Sequence, residues 1–265
     1  MSDFDFRFGG LIRLYGLPAV TAFRQAHVVI IGIGGVGSWS AEALARSAVG
    51  QITLIDLDDV CTSNINRQIV ALDSTVGQSK VAVMAERIQA INPECQVNAI
   101  ADFITADNLA TVIPEQVTVV VDAIDSVRPK VALLAHCKRR KQAVISVGGA
   151  GGQIDPGKIA VADLNRVQQD PLLAKVRSEL RRHYQFSRNP KRRYGIECIY
   201  STEQLLYPQP DGSVCHSKTL NDGSTRLDCA SGFGSATVVT ASFGMRAAAR
   251  ALARIEAKAL SAVSD

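Results

Sequence analysis

CxxC pairs are absent from the 265-residue sequence, although it contains six cysteines. This spacing is typical of neither a zinc site nor a dithiol redox motif, so we expect no zinc. We predict reduced thiols, most of them buried apolar side chains. The six are Cys61, Cys95, Cys137, Cys198, Cys215 and Cys229.

A secretory leader and a clear membrane span are also lacking. The start, MSDFDFRFGG, does not have the basic and apolar regions of a signal peptide, which predicts a cytoplasmic protein. The uncharged run 229–245 is slightly short for a membrane span and is rich in Gly, Ser and Thr. A membrane segment is one interpretation; we favour a buried or subunit-facing helix and expect no stable membrane association.

Aromatic residues are scarce at 5%, whereas hydrophobic residues make up 47% of the chain and apolar runs alternate with helical patterns. VVII at 28–31 and QITLIDLD at 51–58 are typical of buried strands, and the segment between them has helical character. We predict an α/β fold, Rossmann-like, with a doubly wound, mostly parallel sheet, helices on both faces and a C-terminal extension. After Gly152 we expect a short β excursion, irregular surface and a terminal helix.

A glycine-rich loop, GIGGVG, follows the first of these strands. Gly32, Gly34 and Gly37 fit G-x-G-x-x-G where a strand leads into a helix, and Gly35 lies between them. Backbone N–H groups and the helix dipole hold phosphate in such loops. Asp56 ends the next strand, where a carboxylate binds ribose hydroxyls. These residues do not separate NAD, FAD, S-adenosylmethionine and ATP, and a tight turn alone is a further interpretation.

Polar residues further along the chain favour ATP. Asn64, Arg67 and Gln68 follow Asp56, with Lys80 behind them and Asp125 at the end of a later strand. Hydride transfer moves no phosphate, whereas attack of a carboxylate on an α-phosphate joins two anions and builds charge on pyrophosphate. We expect the two cations to neutralise that charge and the later aspartate to hold Mg²⁺.

Each of these residues also has a structural interpretation. Arg67 or Lys80 alone is compatible with a solvated surface charge, and Asp125 with a cap of the helix near SVRPK. Their joint position at strand ends, on the edge where such sheets bind ligands, favours a shared site.

Five ordered segments resemble the adenylating domain shared by ubiquitin-activating enzymes and the sulfur-carrier activators MoeB and ThiF: GIGGVGSW, LIDLDDV, NINRQ, VGQSK and DAIDS. The resemblance implies one adenylating domain over residues 1–265, with a nucleotide-binding core at about 25–155 and an appended region at about 156–265. It implies catalytic roles for Arg67, Lys80 and Asp125, with Asp125 on the metal. The implied ATP contacts are Gly32, Gly34, Gly35, Gly37, Asp56, Asp58, Asn64, Arg67, Gln68, Lys80 and Asp125.

Sulfur-carrier activators usually carry two CxxC pairs, which this chain lacks. RFGGLIRLYG, GGAGGQIDP and DCASGFGSATVVTASFG instead resemble the tRNA threonylcarbamoyladenosine dehydratase family, nearly from end to end. That resemblance implies a homodimer that uses ATP to cyclise threonylcarbamoyladenosine in tRNA, and an association with a cysteine desulfurase system. It also implies that Arg7 or Arg13 reaches the ATP of the partner subunit. The sequence leaves open whether a monovalent cation binds.

Eight Lys or Arg residues against one Glu occupy 175–193, in a chain whose net charge is only +4. A tRNA partner accounts for this stretch, with Tyr184, Phe186 and Tyr194 interleaved for stacking; a solvated charged loop is the alternative. The predicted tRNA-binding residues are Lys175, Arg177, Arg181, Arg182, Arg188, Lys191, Arg192 and Arg193.

Two other functions stay open at this point. One is adenylation of a ubiquitin-like sulfur-carrier protein, and the other is a non-catalytic nucleotide-binding partner in a sulfur relay. Cyclisation needs no catalytic cysteine, because the threonylcarbamoyl group carries its own nucleophile. Cys229 is either a buried structural thiol or a persulfide carrier.

Overall fold

The computed structural model describes residues 2–209, 211–216 and 233–264, and Cys229 lies outside them. The helices are α1 (Asp3–Tyr15), α2 (Leu17–Gln25), α3 (Gly37–Arg46), α4 (Lys80–Ile91), α5 (Leu109–Val112), α6 (Val127–Arg139), α7 (Pro171–His183) and α8 (Thr237–Ser264). The strands are β1 (His27–Ile31), β2 (Gln51–Ile55), β3 (Gln96–Ile100), β4 (Val119–Asp122), β5 (Val144–Val147), β6 (Ile159–Asp163), β7 (Glu197–Ser201), β8 (Tyr207–Pro208) and β9 (Val214–Cys215).

Seven strands form one sheet in the order β3-β2-β1-β4-β5-β7-β6. All pairs are parallel except β6 with β7. The carboxyl edge of this sheet is defined by Ile31, Ile55, Ile100, Asp122 and Val147, and the amino edge by His27, Gln51, Gln96, Val119 and Val144. The predicted mostly parallel α/β sheet is confirmed.

Alternate residues of the central strands enter two separate cores, as strand geometry requires. Val28 and Ile30 of β1 pack with residues of α1 to α4 and α8. Val29 and Ile31 face the other side and pack with residues of α5 to α7. The predicted helices on both faces are therefore present.

The region after Gly152 is more regular than the sequence indicated. The expected β excursion, β6, joins the main sheet through β7, and β7 pairs with β5 from Ile145↔Glu197 to Val147↔Ile199. The expectation of irregular surface was wrong for the first half of the basic stretch, because α7 reaches His183. Its Leu173, Val176 and Leu180 are buried, so apolar packing outweighs the high charge of this segment.

The predicted terminal helix is present as α8. Its Phe243, Ala247 and Ala251 are fully buried, in keeping with the expectation of a buried helix. Among the described residues, no helix is long and apolar enough to cross a membrane.

Candidate functional site

A cavity of about 860 Å³ opens at the carboxyl edge of the sheet. Its size lies within the range of small-molecule sites. Ile31, Ile55, Ile124 and Pro129 give it an apolar wall. The predicted residues among its lining are Gly32, Gly34, Gly35, Asp56, Asp58, Asn64, Arg67, Gln68, Lys80 and Asp125.

The glycines of the loop have different tasks. Gly32 adopts φ +87°, and a Cβ there would lie 2.8 Å from the carbonyl oxygen of Ala123. Gly34 faces open space, since the nearest atom to an added Cβ is Gln68 Nε2 at 3.9 Å. Gly37 does not line the cavity: a Cβ there would lie 1.7 Å from the carbonyl oxygen of Gly32. Its predicted contact with the cofactor is replaced by close packing of α3 against the loop.

Asp56 organises the loop as well as facing the cavity. Its Oδ2 accepts a hydrogen bond from the Ile33 amide at 2.6 Å, and its Oδ1 accepts one from the Asp58 amide at 2.9 Å. Burial raises the pKa of Asp56, and these two hydrogen bonds and the charge of Lys80 oppose that rise. The carboxylate is therefore held in one orientation at the end of β2.

Lys80 begins α4 and points its ammonium into the cavity wall. Its side chain is only 7% exposed, and Nζ lies 2.8 Å from Asp58 Oδ2. Because nearly the whole lysine stem is buried, its charge is fixed in place rather than free to move in solvent. The interpretation of Lys80 as a solvated surface charge does not fit this position.

Arg67 lies on a segment that distant residues anchor. Trp39 Nε1 donates to the Arg67 carbonyl at 3.0 Å, and Thr240 Oγ1 donates to the same oxygen at 3.2 Å. Asn66 Nδ2 also donates to the Ser235 carbonyl, at 2.8 Å. No local pattern in the sequence indicates this contribution from α8 and the residues before it.

Two side-chain amides complete this wall. Asn64 Oδ1 accepts from the Cys61 amide at 3.1 Å and so shapes the turn that precedes Arg67. Gln68 is 5% exposed, and its buried Oε1 has no hydrogen-bond partner. An unpaired buried acceptor costs free energy, so this amide suits contact with a bound ligand.

Asp125 lies on a loop that a buried ion pair holds in place. Lys130 Nζ is 2.9 Å from Asp122 Oδ2, and both side chains are 0% exposed. Ser146 Oγ donates to the same carboxylate at 2.7 Å, and Lys130 Nζ donates to the Ile124 carbonyl at 2.9 Å. No motif in the sequence indicates this ion pair. Asp125 itself is exposed and does not cap α6, whose N-cap residue is Ser126.

A second buried carboxylate supports the glycine-rich rim at 148–151. Asp170 Oδ2 accepts from the Gly149 amide at 3.0 Å, and its Oδ1 accepts from the Leu173 amide at 2.8 Å. Burial raises the pKa of Asp170, while these amides and the Lys130 charge counteract the rise. The carboxylate thus ties the rim of the cavity to the start of α7.

The basic stretch lies at the other edge of the sheet. Both α6 and α7 start at the cavity, at Ser126 and Asp170, and run toward the amino edge. The amides of Tyr194 and Gly195 donate to Asp163 at 3.0 and 2.8 Å, beside the start of β7. Within one chain, the basic stretch therefore does not reach the cavity.

Two of the predicted tRNA-binding arginines already have internal partners. Arg177 donates to the carbonyls of Leu164 and Val167 at 3.0 and 2.8 Å. Arg181 donates to Asn165 Oδ1 at 2.7 Å and to the Tyr194 hydroxyl at 2.9 Å. These donors therefore stabilise the fold, and tRNA binding by Arg177 and Arg181 stays a prediction.

The aromatic residues of the stretch differ in access. Tyr194 is only 3% exposed, and its ring packs edge-on against Phe186 at 4.9 Å, so it is not available for base stacking. Tyr184 is half-buried. Six predicted cations do remain exposed: Lys175, Arg182, Arg188, Lys191, Arg192 and Arg193.

Three of the described cysteines are buried, as expected. Burial raises the pKa of Cys95 to about 11 and that of Cys137 to about 12, and it raises the pKa of Cys198 still further above its ordinary range. These thiols stay protonated at neutral pH and are poor nucleophiles. Cys61 is exposed and lines the cavity.

Comparison with known proteins gives close matches over almost the whole chain. A sequence profile of the ThiF family matches residues 10–259. The tRNA threonylcarbamoyladenosine dehydratase of Escherichia coli K12 is 55% identical over 253 residues, or 96% of this chain and 94% of that protein. The Haemophilus influenzae dehydratase is 50% identical over 255 residues, or 96% and 95%. A crystal structure of the E. coli dehydratase TcdA with ATP has a TM-score of 0.86 at 49% identity, covering 98% of both chains.

Proposed function

Because the chain belongs to the ThiF family, we propose that it is an ATP-dependent tRNA threonylcarbamoyladenosine dehydratase that cyclises its substrate through an acyl-adenylate. The observation that carries the proposal is that Asn64, Arg67 and Lys80 line one cavity, in a chain whose likeness to dehydratases extends through 96% of its length. Residues 1–265 act as a single adenylating unit in this proposal, because β6 and β7 extend the same sheet and Thr240 of α8 lines the same cavity as the earlier elements.

ATP would enter with its ribose toward Asp56 and its phosphates toward the glycine loop. Gly34 leaves room for close approach of the phosphates, which the backbone N–H groups of such a loop can bind. Gln68 and Asn64 line the same space. The adenine would occupy the apolar wall near Ile55 and Ile124.

The charges around the cavity favour a divalent cation with the nucleotide. Five aspartates line the cavity, at 56, 58, 59, 102 and 125, against Arg67 and Lys80. Triphosphate alone would meet a surplus of negative charge. Mg²⁺ commonly binds one or two carboxylates together with phosphate oxygens, and the exposed Asp125 fits such a role. When bound, the ion would neutralise phosphate charge.

The proposed chemistry has two steps. The carboxylate of the threonylcarbamoyl group attacks the α-phosphorus of ATP, a new phosphorus–oxygen bond forms, and pyrophosphate leaves. The nucleophile within the same group then attacks the activated carbonyl carbon, AMP leaves with the former carboxylate oxygen, and a proton is released. The net change in the nucleoside is the loss of one water. Ring closure is favourable because the two reacting groups belong to one molecule.

The cations act where charge develops. Lys80, buried and paired with Asp58, would meet the phosphates with its charge fixed in place, and the Arg67 guanidinium is oriented by its hydrogen bonds to the Ser63 carbonyl and Asn66 Oδ1 at 2.7 and 3.2 Å. Such fixed donors need no reorganisation as pyrophosphate departs. No cysteine enters the scheme.

The partners of the proposal are tRNA and a second copy of the chain. The exposed part of the basic stretch would bind RNA phosphates. Exposed apolar side chains on the first two helices, Phe6, Leu14 and Leu17, favour a homodimer. Arg7 donates to Asp3 at 2.6 Å and to the Ile91 carbonyl at 3.4 Å, so the exposed Arg13 is the better candidate to reach the partner's ATP. With a tRNA substrate, we expect the protein to act in the cytoplasm.

Incubation of the purified protein with ATP, Mg²⁺ and tRNA carrying threonylcarbamoyladenosine, followed by mass spectrometry of the nucleosides, tests the proposal. Loss of one water together with release of AMP supports it. An unchanged nucleoside, with an AMP adduct on a ubiquitin-like carrier, would instead establish the carrier-activating function. ATP binding without either product would point to a non-catalytic partner.

A further inference from the structure

The cavity has a second wall beside the one assigned to the nucleotide. In the sheet, β1 lies between β2 and β4, and β5 lies beyond β4. The glycine loop follows β1 and Asp56 follows β2, whereas the glycine-rich rim at 148–151 follows β5 and lines the same cavity. Two strand spacings, roughly 10 Å, separate the ends of β1 and β5. The rim is therefore close enough to the glycine loop to hold a second reactant beside the phosphates.

Hydrogen bonds fix this rim at both ends. The Gly149 amide donates to Asp170 Oδ2 at 3.0 Å, and Asp170 is itself buried. The amide of Gly152, directly after the rim, donates to the Gly234 carbonyl at 2.8 Å. The rim is thus a fixed strip of backbone along one side of the cavity.

Two backbone donors between these anchors have no acceptor. Within the described ranges 2–209, 211–216 and 233–264, no atom accepts a hydrogen bond from the amides of Ala150 and Gly151. Both residues are half-buried and line the cavity. An amide that burial partly shields from water costs free energy when it lacks an acceptor. These two consecutive amides can therefore donate to oxygen atoms of a bound molecule.

The rim brings no charged side chain to the cavity. Three of its four residues are glycines, and Ala150 has only a methyl group. A Cβ added to Gly149 would have no atom within 4 Å, so the space in front of this residue is open. A narrow ligand can lie directly against the backbone at this point.

A neutral rim suits a carboxylate that has to act as a nucleophile. A Lys or Arg partner would form a charge-assisted hydrogen bond, about twice as strong as a neutral one, and would hold the negative charge on the carboxylate oxygen. Backbone amides orient the carboxylate and leave more of its charge available for attack on phosphorus. In-line attack also places the nucleophile opposite the departing pyrophosphate. A subsite without cations, set apart from the wall that carries Lys80, meets both requirements.

We infer that the glycine-rich rim at 148–151 binds the threonylcarbamoyl arm of the substrate nucleoside, with the amides of Ala150 and Gly151 donating to its carboxylate oxygens. The inference rests on the proposed function for the identity of the arm, and it adds the subsite for the second reactant. The open space in front of Gly149 is the space that the arm occupies.

Three variants test this subsite. Gly149→Val fills the open space in front of the rim, and Gly149→Ala fills less of it. Neither should disturb the fold, because the added Cβ has no neighbour within 4 Å and the backbone is not left-handed there. Gly34→Ala is the matched control, since it adds a methyl group at an open position on the nucleotide wall of the same cavity. Melting temperatures check that all three variants fold.

The first measurement is the preference for modified RNA. Fluorescence anisotropy compares an anticodon stem-loop carrying threonylcarbamoyladenosine with the same RNA carrying adenosine, at saturating Mg²⁺ and a non-hydrolysable ATP analogue. The wild type and Gly34→Ala should bind the modified RNA roughly tenfold more tightly, as one hydrogen bond to a charged group provides. Gly149→Val should lose this preference and bind unmodified RNA normally, and Gly149→Ala should keep part of it. No preference in the wild type, or a full preference in Gly149→Val, would overturn the inference.

Calorimetry with ATP alone decides whether the rim belongs to the nucleotide instead. Gly149→Val should bind ATP with the Kd of the wild type, whereas Gly34→Ala should bind it more weakly. If Gly149→Val weakens ATP binding as much as Gly34→Ala does, the amides of the rim serve a phosphate group of ATP and the inference is wrong.

The cyclisation assay separates failure of the inference from failure of the proposed function. At saturating ATP, Gly149→Val should lower kcat/KM for the modified tRNA by about 100-fold, the scale on which a misplaced reacting group slows an enzyme. A wild type that prefers the modified RNA through the rim but forms no cyclic product would keep the subsite and refute the dehydratase function. A wild type that cyclises its substrate, with Gly149→Val equally active, would keep the function and refute the subsite.

Discussion

The two edges of the sheet use charge in opposite ways. At the carboxyl edge the cations are few, and two of them are buried in ion pairs: Lys80 is 7% exposed against Asp58, and Lys130 and Asp122 are 0% exposed. At the amino edge the cations are numerous and exposed. Fixed charges suit stabilisation of one transition state, whereas exposed charges suit a salt-dependent contact with a long polyanion.

The comparison teaches that local charge density does not identify the chemical site. The most basic stretch of the chain lies at the amino edge, away from the cavity. The cavity itself has more carboxylates than cations among its lining residues. At the cavity, backbone amides hold the Asp56 carboxylate in one orientation and Asp58 holds the buried Lys80 ammonium.

The largest expected effect is loss of the buried pair below the cavity. Lys130→Met should lower the free energy of unfolding by about 3–5 kcal/mol, because it leaves the Asp122 carboxylate buried without its cation. Urea unfolding measures the loss. Lys130→Met/Asp122→Leu is the matched control and should recover part of the lost stability. If the double variant is as unstable as the sum of Lys130→Met and Asp122→Leu measured alone, the two residues do not act as a pair.

Removal of Arg67 or Lys80 should impair catalysis at the carboxyl edge without affecting RNA binding at the amino edge. Arg67→Ala or Lys80→Ala should each reduce AMP-forming turnover by about 100-fold or more, as expected when one stabiliser of developing charge is lost. Neither should change the affinity for stem-loop RNA at the amino edge. Circular dichroism checks the fold. Normal turnover in both variants would refute the assigned roles.

The glycine loop allows a finer comparison within the carboxyl edge. Gly37→Ala should destabilise the protein by about 1–3 kcal/mol, since the added methyl meets the Gly32 carbonyl, although helix propensity alone favours alanine. Gly34→Ala, whose Cβ would have space, should leave the melting temperature nearly unchanged and weaken ATP binding measured by calorimetry. If Gly37→Ala instead weakened ATP binding and Gly34→Ala destabilised the protein, Gly34 would have the packing role and Gly37 the phosphate role.

The smallest effect concerns a paired carboxylate at the amino edge. Burial opposes ionisation of Glu197, but hydrogen bonds and charges from Arg250 and Arg254 prevail and hold its pKa below the ordinary value of 4.5. Its stabilisation is therefore full above pH 4.5 and is lost as the pH falls through the lower pKa of the folded state. Glu197→Gln should remove about 1 kcal/mol or less at neutral pH. Urea unfolding of the wild type and Glu197→Gln at neutral and acidic pH measures this loss of stability. If the difference in unfolding free energy between the two proteins is the same at both pH values, the prediction is contradicted.

The parallel sheet could be predicted from the sequence, and all but one of the predicted ATP contacts line the cavity, because both depend on local patterns. Gly34, Asp56 and Lys80 each follow from motif position along strands and helix starts. Lys130 was missed, because a lysine after Pro129 is indistinguishable from a surface charge until Asp122 and Ser146 are seen beside it. The same holds for Arg181, whose partner Asn165 lies in another turn.

Local patterns along the chain are enough to fix which chemical groups meet at the carboxyl edge. Parallel strands joined by helices must bring their carboxyl ends to one edge, so residues placed after those strands converge whatever the details of packing. Only the tertiary structure decided that α6 and α7 carry the basic residues to the opposite edge, and that a lysine and an aspartate meet in the core. Those outcomes depend on contacts between distant segments, whose free energy no local pattern encodes.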